Sequence, residues 1–380
     1  MNFQLTKEQE FTKLMIDKFC EEVVVPTAED LDNAHEFPAD IVKQMGELGL
    51  MGIMWPTEYG GAGGDYISYC LVIEALTAAH AAVGTVVAAH TSLCTGPIFY
   101  SGSEEQKQKY VVPLAKGEKL GAFGLTEANA GSDSGATQTR AEDCGDYWLI
   151  NGTKIFITNA GYADIFVITA MTDKSKGTRG GISFFIVEKG DPGFSIGKEE
   201  DKLGIRASST CELIFEDCKI PKDRIVGKVG EGFKIAMQTL ERARIGVAAQ
   251  GVGVAQGAFD VTKEYMNQRK QFGKKLTKFQ YPAFTMAELY TRIEAARLLV
   301  QRAANLADNH LPCGTESAMA KFYASEIAMD MGTKGVQFHG GYGFINDYAI
   351  QRYFRDAKIM EIYEGTSEIQ KLIVSGAILK

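Results

Sequence analysis

The spacing of apolar residues changes twice along this chain of 380 residues, and this change constrains the fold more than any other feature. Residues 1–120 and 229–380 carry apolar positions at the spacing of α-helices. Between them, residues 121–228 contain short runs such as YWLI, DIFVITAMT and GISFFIVEK, which indicate β-strands. We therefore predict an α+β protein with an N-terminal α-helical domain at 1–120, a central β domain at 121–228 and a C-terminal α-helical domain at 229–380.

Three local patterns give more detailed predictions. Thr6 and Gln9 have the spacing of a capping box, which predicts a helix start. The run LVIEALTAAHAAVGTVVAAH is rich in small apolar residues and predicts one buried helix. Asn151-Gly152 lies between YWLI and TKIFIT, and this dipeptide is typical of a tight β-hairpin turn.

The charge balance limits the partners. There are 40 Lys and Arg against 48 Asp and Glu, for a formal net charge of -8. Nucleic acids and anionic membranes favour basic surfaces, so neither is expected as a partner. The polar start MNFQLTKEQE does not resemble a signal peptide, and no uninterrupted apolar run is long enough to span a membrane. We expect a cytoplasmic protein without membrane insertion.

The cysteines and histidines do not indicate a metal site. Seven cysteines occur at scattered spacings without a CxxC pair, and five histidines form no HExxH pattern. A dinucleotide fingerprint is also missing, because Gly251, Gly253 and Gly257 have the wrong spacing and lie within a helical pattern. We expect no metal and no Rossmann fold.

Two segments of the β region could contact a flavin. In FGLTEANAGSDSGA, Ser132 beside Gly131 could bind a phosphate, and Thr126 could reach a heterocycle, although the segment alone could be a polar turn. Phe156 and Thr158 are two residues apart on a predicted strand, so both should project from one face. An aromatic ring beside a hydroxyl would suit the edge of a flavin.

Five motifs in succession make a resemblance specific. FGLTEANAGSD, NGTKIFITNA, RKQFGKKLTKFQ, QFHGGYGF and RDAKIMEIYEGTSEIQ resemble the signatures of the acyl-CoA dehydrogenase family, in the order found in that family. The likeness runs from about residue 3 to 380 and is greatest to the short-chain, or butyryl-CoA, branch of anaerobic bacteria. It implies a barrel-like β domain, a C-terminal four-helix bundle and FAD as cofactor. It also implies a homotetramer built as a dimer of dimers and electron transfer flavoprotein as redox partner.

The resemblance also implies roles for individual residues. On this basis the flavin of the same subunit should contact residues of the β region and of the C-terminal segment, namely Phe123, Leu125, Thr126, Ser132, Phe156, Thr158, Thr366 and Glu368. The FAD of the neighbouring subunit should contact Arg269, Gln271, Phe272, Gln280, Gln337 and Gly341. The family often has Trp at the position of Phe156 and Gln at that of Glu368. Arg244 and Gly365 are assigned to the substrate, and a helix-capping salt bridge is the alternative role for Arg244.

Glu364 in IYEGTSEIQ matches the position of the family's catalytic base. Removing a proton beside a thioester requires a carboxylate aimed at that carbon, and burial beside an acyl chain should raise its pKa. Glu241 is a second candidate, because some relatives carry their base on that earlier helix. Alignment with Arg244 puts Ala243 at the alternative base position, so we predict that Glu241 is structural or at the surface.

These assignments predict α,β-dehydrogenation of a short-chain acyl-CoA to a trans-2-enoyl-CoA, or the reverse reduction. Butyryl-CoA and crotonyl-CoA are the first substrates to consider. An aryl-enoyl-CoA reductase of the cinnamoyl- or caffeyl-CoA type, acting in an electron-bifurcating complex, is an alternative within the same fold. Two further alternatives are an oxidase and a non-enzymatic scaffold that has kept the fold.

Overall fold

Helices form the first third of the chain in the computed structural model, which describes residues 4–379. They are α1 (Lys7–Phe19), α2 (Val25–Ala34), α3 (Ala39–Glu47), α4 (Tyr66–Ala79), α5 (Ala81–Ala88), α6 (Gly96–Ser101), α7 (Glu104–Gln106) and α8 (Val112–Ala115). The predicted capping box is confirmed, because Thr6 Oγ1 accepts a hydrogen bond from the Gln9 amide and the Gln9 side chain accepts one from the Thr6 amide. The expected N-terminal helical region is present.

The long buried helix predicted around residues 71–90 is interrupted. His80 has an extended backbone, which ends α4, and its Nδ1 accepts a hydrogen bond from the Ala82 amide, which begins α5. A helical stretch from Ala81 to Ser101 follows and is long and apolar enough, by length and composition, to cross a membrane. However, 94% of its most apolar window is buried inside the protein. Its apolar character is that of a core helix.

A sheet of eight strands forms the middle of the chain. The strands are β1 (Gly121–Gly124), β2 (Arg140–Asp143), β3 (Tyr147–Thr158), β4 (Ile165–Met171), β5 (Ile182–Glu188), β6 (Phe194–Glu199), β7 (Thr210–Pro221) and β8 (Ile225–Val226). Their order is β6-β7-β3-β2-β4-β5-β8, and β1 adds to β4 in parallel. Both β4 and β5 are buried along nearly their whole length, because helices cover one face and the rest of the β region covers the other.

The predicted turn at Asn151-Gly152 is wrong. Both residues lie inside the continuous strand β3, which pairs with β7 through a register shift between Ile150 and Gly152. The Asn151 side chain accepts a hydrogen bond from the Asp217 amide at this bulge, so it stabilises an irregularity between two strands. The real hairpin turn lies earlier, between β2 and β3, where Gly145 has a φ of +84°.

Five helices complete the fold. They are α9 (Gly232–Gln268), α10 (Gln280–Asp308), α11 (Gly314–His339), α12 (Ile350–Met360) and α13 (Ser367–Ile378), with a small hairpin of β9 (Lys270–Gln271) and β10 (Lys274–Lys275) after α9. Helices α9 and α11 pack against each other, α10 and α12 pack against both, and α13 lies on α11. The three glycines of the rejected dinucleotide fingerprint lie in α9, where they allow close helix packing; a Cβ on Gly257 would meet Ala78 O at 2.6 Å.

Helix α12 is attached to both other regions of the chain. Arg355 forms an ion pair with Asp32 of α2 and donates a hydrogen bond to Leu203 O in the segment between β6 and β7. The neighbouring Asp356 carboxylate accepts a hydrogen bond from the Ile205 amide at 2.6 Å. The helix that leads to Glu364 is therefore held by the N-terminal helices and by the β region.

Candidate active site

Glu364 lies in the turn between α12 and α13, and its backbone is in an unusual conformation. Its φ is +52°, in the left-handed region that residues other than glycine rarely adopt, and Gly365 follows with a φ of +99°. Such a conformation persists only where the surrounding structure holds it, and it is most common at functional sites. The turn aims the Glu364 side chain away from the path that a continuous helix would give it.

Three side chains hold this turn by its carbonyl oxygens. Arg244 Nε donates to Glu364 O at 3.3 Å, and Gln370 Nε2 donates to Gly365 O at 2.8 Å. Lys321 Nζ also donates to Gly365 O at 2.8 Å. Because these donors come from α9, α13 and α11, the turn is fixed by three separate helices.

Glu364 is half-buried, and the Oε2 atom of its carboxylate is buried. Its Oε2 atom has no hydrogen-bond partner among residues 4–379. Burial raises the pKa of Glu364 to about 7, while the positive charges of Lys321 and Arg244 act in the opposite direction. The expected direction is therefore found. A carboxylate with this pKa can take a proton near neutral pH and return it.

A polar bridge lies beside the base. The Tyr363 hydroxyl donates to Gln250 Oε1 at 2.8 Å, and Gln250 Nε2 donates to Thr85 Oγ1 at 3.0 Å. Gln250 and Thr85 are buried, as is Tyr69, whose ionised hydroxyl would be repelled by Glu364. These hydrogen bonds tie Tyr363, the neighbour of Glu364 in the chain, to α9 and α5, and breaking them would leave buried polar groups without partners.

The structure separates the two candidate bases. Glu241 is exposed on α9 and lies against Gly314, whereas Ala243, at the alternative base position, is buried. Arg244 lies in the interior of α9, so it does not cap a helix, and its guanidinium reaches Glu364 O. Glu364 lies in the turn with positive φ, and burial of its carboxylate raises its pKa.

Two of the segments assigned to the flavin, around Thr126 and around Phe156, lie next to each other. Leu125 and Thr126 follow directly after β1, and the Thr126 carbonyl accepts a hydrogen bond from the Ile155 amide at 2.9 Å. This bond brings the neighbour of Phe156 onto the same segment. Phe123 precedes them on β1, where its ring stacks near Phe184.

The alternation assumed for Phe156 and Thr158 does not hold. The pairing of β3 with β7 shifts between Lys154 and Ile157, and Phe156 has a φ of +59°. This bulge leaves the Phe156 ring 60% exposed, while Thr158 remains half-buried. A spacing of two residues puts side chains on a common face only in a regular strand. Because β3 is irregular here, the bulge sets the directions of the Phe156 and Thr158 side chains.

A buried ion pair lies under this segment. Lys154 Nζ donates to Glu127 Oε1 at 2.7 Å and to Leu125 O at 3.1 Å, and both side chains are buried. Glu127 also accepts hydrogen bonds from the Thr137 hydroxyl and from the Gln138 amide, so the pair joins both ends of the loop that carries Ser132. Lys154 and its hydrogen bonds lower the pKa of Glu127 to about 2, against an opposing effect of burial.

The remaining residues assigned to the same subunit's flavin lie in three positions. Ser132 is exposed in the loop between β1 and β2. Thr366 caps α13, because its Oγ1 accepts a hydrogen bond from the Ile369 amide, and Glu368 is exposed in the first turn of that helix. Thr366 is two residues after Glu364 in the chain and therefore lies at the same turn, whereas Ser132 lies on a separate loop.

Half of the residues assigned to the neighbouring subunit's FAD line a separate groove. This groove, of about 480 Å³, contains Arg269, Gln271 and Gly341. The Arg269 guanidinium lies 5.6 Å from the centre of the Tyr342 ring, which leaves the cation at the groove surface. Phe272 lies at the tip of the β9–β10 hairpin and is 93% exposed. Gln280 at the start of α10 and Gln337 near the end of α11 are also exposed.

The sequence did not predict the residues that hold the Glu364 turn and the flavin-contacting segments of the β region in place. They are Lys321 and Gln370 at the base turn, and Lys154 and Glu127 in the β region. A signal was available for Lys321, because it is the one cation among the buried small residues on one face of α11, which are Ser317, Ala318, Ala320, Ala324, Ser325 and Ala328. Within residues 4–379, no group of three His, Cys, Asp or Glu side chains is placed to hold a metal ion.

Two helical regions flank a β-sheet, and a carboxylate with a pKa of about 7 lies in the turn between α12 and α13. The similarities that follow assign this arrangement to a class of oxidoreductases. Residues 6–118, 122–218 and 230–379 match the N-terminal, middle and C-terminal domains of acyl-CoA dehydrogenase, respectively. The chain belongs to the acyl-CoA dehydrogenase family.

Individual relatives are similar over the full length. The short-chain specific acyl-CoA dehydrogenase of Clostridium acetobutylicum is 56% identical over 380 residues, which is 100% of both chains. Butyryl-CoA dehydrogenase from Megasphaera elsdenii is 46% identical with a TM-score of 0.98, again over 100% of both chains. A chain from a structural study of the electron transferring flavoprotein of Acidaminococcus fermentans and flavin-based electron bifurcation is 50% identical with a TM-score of 0.99, over 100% of both chains.

Acyl-CoA dehydrogenases depend on FAD, and FAD is the cofactor of this chain. The residues present fit that molecule. The exposed Phe156 ring offers a flat apolar face, the half-buried Thr158 offers a hydroxyl, and the Arg269 groove offers a cation to a pyrophosphate.

Proposed function

We propose that this protein dehydrogenates short-chain acyl-CoA thioesters between the α and β carbons, or reduces the corresponding trans-2-enoyl-CoA. The observation that carries the proposal is the Glu364 turn with its positive φ angles, which presents a carboxylate with a pKa of about 7 in an enzyme of the acyl-CoA dehydrogenase family. Butyryl-CoA is the proposed substrate and crotonyl-CoA the proposed product.

In this reaction Glu364 takes the proton from the α carbon. FAD, when bound, supplies the acceptor for the hydride that leaves the β carbon. The Glu364 amide lies at the end of a turn that Arg244, Lys321 and Gln370 hold rigid, and it is the proposed donor to the thioester oxygen. A fixed donor at that oxygen stabilises the negative charge that develops as the proton leaves.

Support for a short acyl chain comes from the polar bridge beside the base. Tyr363, Gln250 and Thr85 are joined by hydrogen bonds, and we propose that they limit the space for the end of the acyl chain. Displacing them would leave buried polar groups without partners, at about 1–3 kcal/mol each. The names of the Clostridium and Megasphaera relatives agree with this choice.

The proposed redox partner is an electron transfer flavoprotein. In its support, a structural study of the electron transferring flavoprotein of Acidaminococcus fermentans includes a chain that is 50% identical to this one.

A cytoplasmic homotetramer, built as a dimer of dimers, is the proposed assembly. In its support, Phe272, Tyr281 and Phe284 are 93%, 64% and 67% exposed near the Arg269 groove, which is unusual for large apolar side chains without a partner surface. In this assembly Arg269, Gln271, Phe272, Gln280, Gln337 and Gly341 contact the neighbour's FAD.

An anaerobic titration of the FAD-loaded protein tests the proposal. The flavin absorbance is followed during addition of butyryl-CoA or of phenylpropionyl-CoA, in wild type and in Glu364→Gln. We expect butyryl-CoA to bleach the wild-type flavin and the substitution to slow bleaching about 100- to 10,000-fold, as for loss of a positioned base.

Other outcomes are equally informative. Bleaching by the aryl thioester alone would replace the proposed substrate by the aryl-enoyl-CoA class, and rapid peroxide formation in air would indicate an oxidase. Equal rates in both proteins would remove Glu364 from the mechanism. Glu241→Gln serves as the matched control, because this exposed glutamate should have little influence on the rate.

A further inference from the structure

Lys321 is a fully buried lysine whose positive charge has no part in the chemistry described above. It lies on the face of α11 that packs into the core, and its side chain is 0% exposed. Burying an ammonium group is unfavourable unless it is paired or hydrogen-bonded. A methionine would fill similar volume without this penalty, so the charge itself requires an explanation.

The contacts of Lys321 point to the base turn. Its Nζ donates to Gly365 O at 2.8 Å, and Gln370 Nε2 donates to the same oxygen at 2.8 Å. Gly365 and Glu364 are the two consecutive residues with positive φ. A carbonyl held from two sides cannot rotate freely, so the left-handed conformation that aims the base is locked at this peptide.

The charge of Lys321 faces the base as well. Among the positive charges near Glu364, it has the larger effect and Arg244 the smaller. The titratable and charged groups that face this region come from every helix packed against it, and they are Tyr69 on α4, Arg244 on α9, Lys321 on α11 and Glu361, Tyr363 and Glu368 around the turn. Lys321 is the only lysine of this set.

We propose that Lys321 is a positioning residue for catalysis, which fixes the Glu364–Gly365 turn by its carbonyl and keeps the buried base ionised through its positive charge. This inference rests on the proposed function, because it assumes that Glu364 is the base. Lys321 does not touch substrate; it acts through the turn and through the electric field at the carboxylate.

The test is the pH profile of flavin reduction by butyryl-CoA in stopped flow, on FAD-loaded proteins with measured FAD content. Lys321→Met removes charge and hydrogen bond, and Lys321→Gln keeps an amide donor but removes the charge. Both should raise the apparent pKa of the base by about one unit or more, because a nearby opposite charge lowers a carboxyl pKa by that amount. For a rise of one unit the rate at pH 7 should fall about 5-fold, because the ionised fraction of the base falls from about one half to about one tenth, and the rate should recover at higher pH.

The two variants separate the two roles. Lys321→Gln should approach the wild-type rate at high pH, whereas Lys321→Met should remain about 10-fold or more slower at every pH, with little change in KM, because the turn is loosened. Lys358→Met is the matched control, since Lys358 pairs with Glu361 beside the same turn but is half exposed. It should leave the profile unchanged.

Wild-type pH profiles and rates in both Lys321 variants would overturn the inference. If Lys321→Met does not fold, an unshifted profile in Lys321→Gln alone would do so. Failure of the proposed function looks different, because Glu364→Gln would then be as active as wild type. One combination would reject the role of Lys321 and keep Glu364 as the base. In it, Glu364→Gln loses activity as expected, while both Lys321 variants keep the wild-type apparent pKa and rates.

Discussion

Glu364 illustrates how a functional residue can oppose stability. Burial raises its pKa to about 7 from the value of 4.5 that is usual for the unfolded chain. The folded protein therefore binds the proton more tightly between these two values, and the folded state is progressively penalised as pH rises from 4.5 to 7. At pH 7 and above, the penalty reaches about 3 kcal/mol by the size of the shift.

We predict that Glu364→Gln is more stable than wild type at neutral and alkaline pH. The neutral amide avoids the penalty, so the substitution should raise Tm by a few degrees at pH 8 and by much less near pH 5. Thermal unfolding of both FAD-loaded proteins across this pH range is the measurement. An equal or lower Tm for the variant at pH 8 would show that the carboxylate is not strained by burial.

The polar bridge gives a prediction on chain length. Gln250→Ala removes the central member between Tyr363 and Thr85 and opens space beside the base. The ratio of kcat/KM for hexanoyl-CoA to that for butyryl-CoA should rise about 10-fold or more, since added methylenes in an apolar space contribute about 1–3 kcal/mol. The comparison is made on both thioesters with the same electron acceptor.

Gln256→Ala is the control for this substitution, because Gln256 lies on the same helix but accepts a hydrogen bond from Arg297. It should keep the wild-type ratio. If Gln250→Ala also keeps it, the bridge does not limit the acyl chain, and another part of the wall must be responsible.

At the scale of elements, the loop between β1 and β2 depends on one buried ion pair. Lys154→Met should lower the free energy of unfolding by about 3–5 kcal/mol, because it leaves Glu127 charged and buried without its partner. The loss should be smaller at pH 5 than at pH 8, since protonation of Glu127 removes the isolated charge. It should also weaken FAD binding, because both ends of the loop that carries Ser132 are released.

Melting curves at the two pH values and an FAD titration of apoprotein measure these effects. Adding Glu127→Gln to Lys154→Met should recover part of the stability. Lys198→Met provides the comparison, because its ion pair with Glu200 is exposed on the lysine side and should contribute less than about 1 kcal/mol. Similar losses in Lys154→Met and Lys198→Met would contradict the assigned importance of the buried pair.

The elements also show where sequence reasoning ends. The order of helical and β patterns predicted the three regions. The assignment of Glu364 in IYEGTSEIQ as the base stays a prediction. Asn151-Gly152 was misread, because β3 is continued by pairing with β7, a strand about 60 residues further along the chain. Lys321 was not found, because helical spacing shows that a residue is buried but not which turn it faces.

At the scale of the whole molecule, the exposed aromatic residues of α10 predict association. Phe284→Glu places a charge on the surface formed with Tyr281, and it should convert the proposed tetramer to smaller species in sedimentation velocity. FAD should be retained less well, because the Arg269 groove serves the neighbouring subunit in the proposed assembly. Phe11→Glu is the control, since Phe11 is 70% exposed on α1, outside this surface.

A monomeric wild-type protein would reject the assembly directly. A Phe284→Glu protein that stays tetrameric and keeps its FAD would instead show that α10 lies outside the interface.

The attachment of α12 has a consequence for the newly made chain. Asp32 and Ile205 bind neighbouring residues of this helix, and the helix ends four residues before Glu364. The carboxylate is aimed only after the N-terminal helices, the β region and the C-terminal helices have all docked. We expect incompletely folded chains to be inert toward thioester metabolites, so that completion of the fold itself switches on the reactive group.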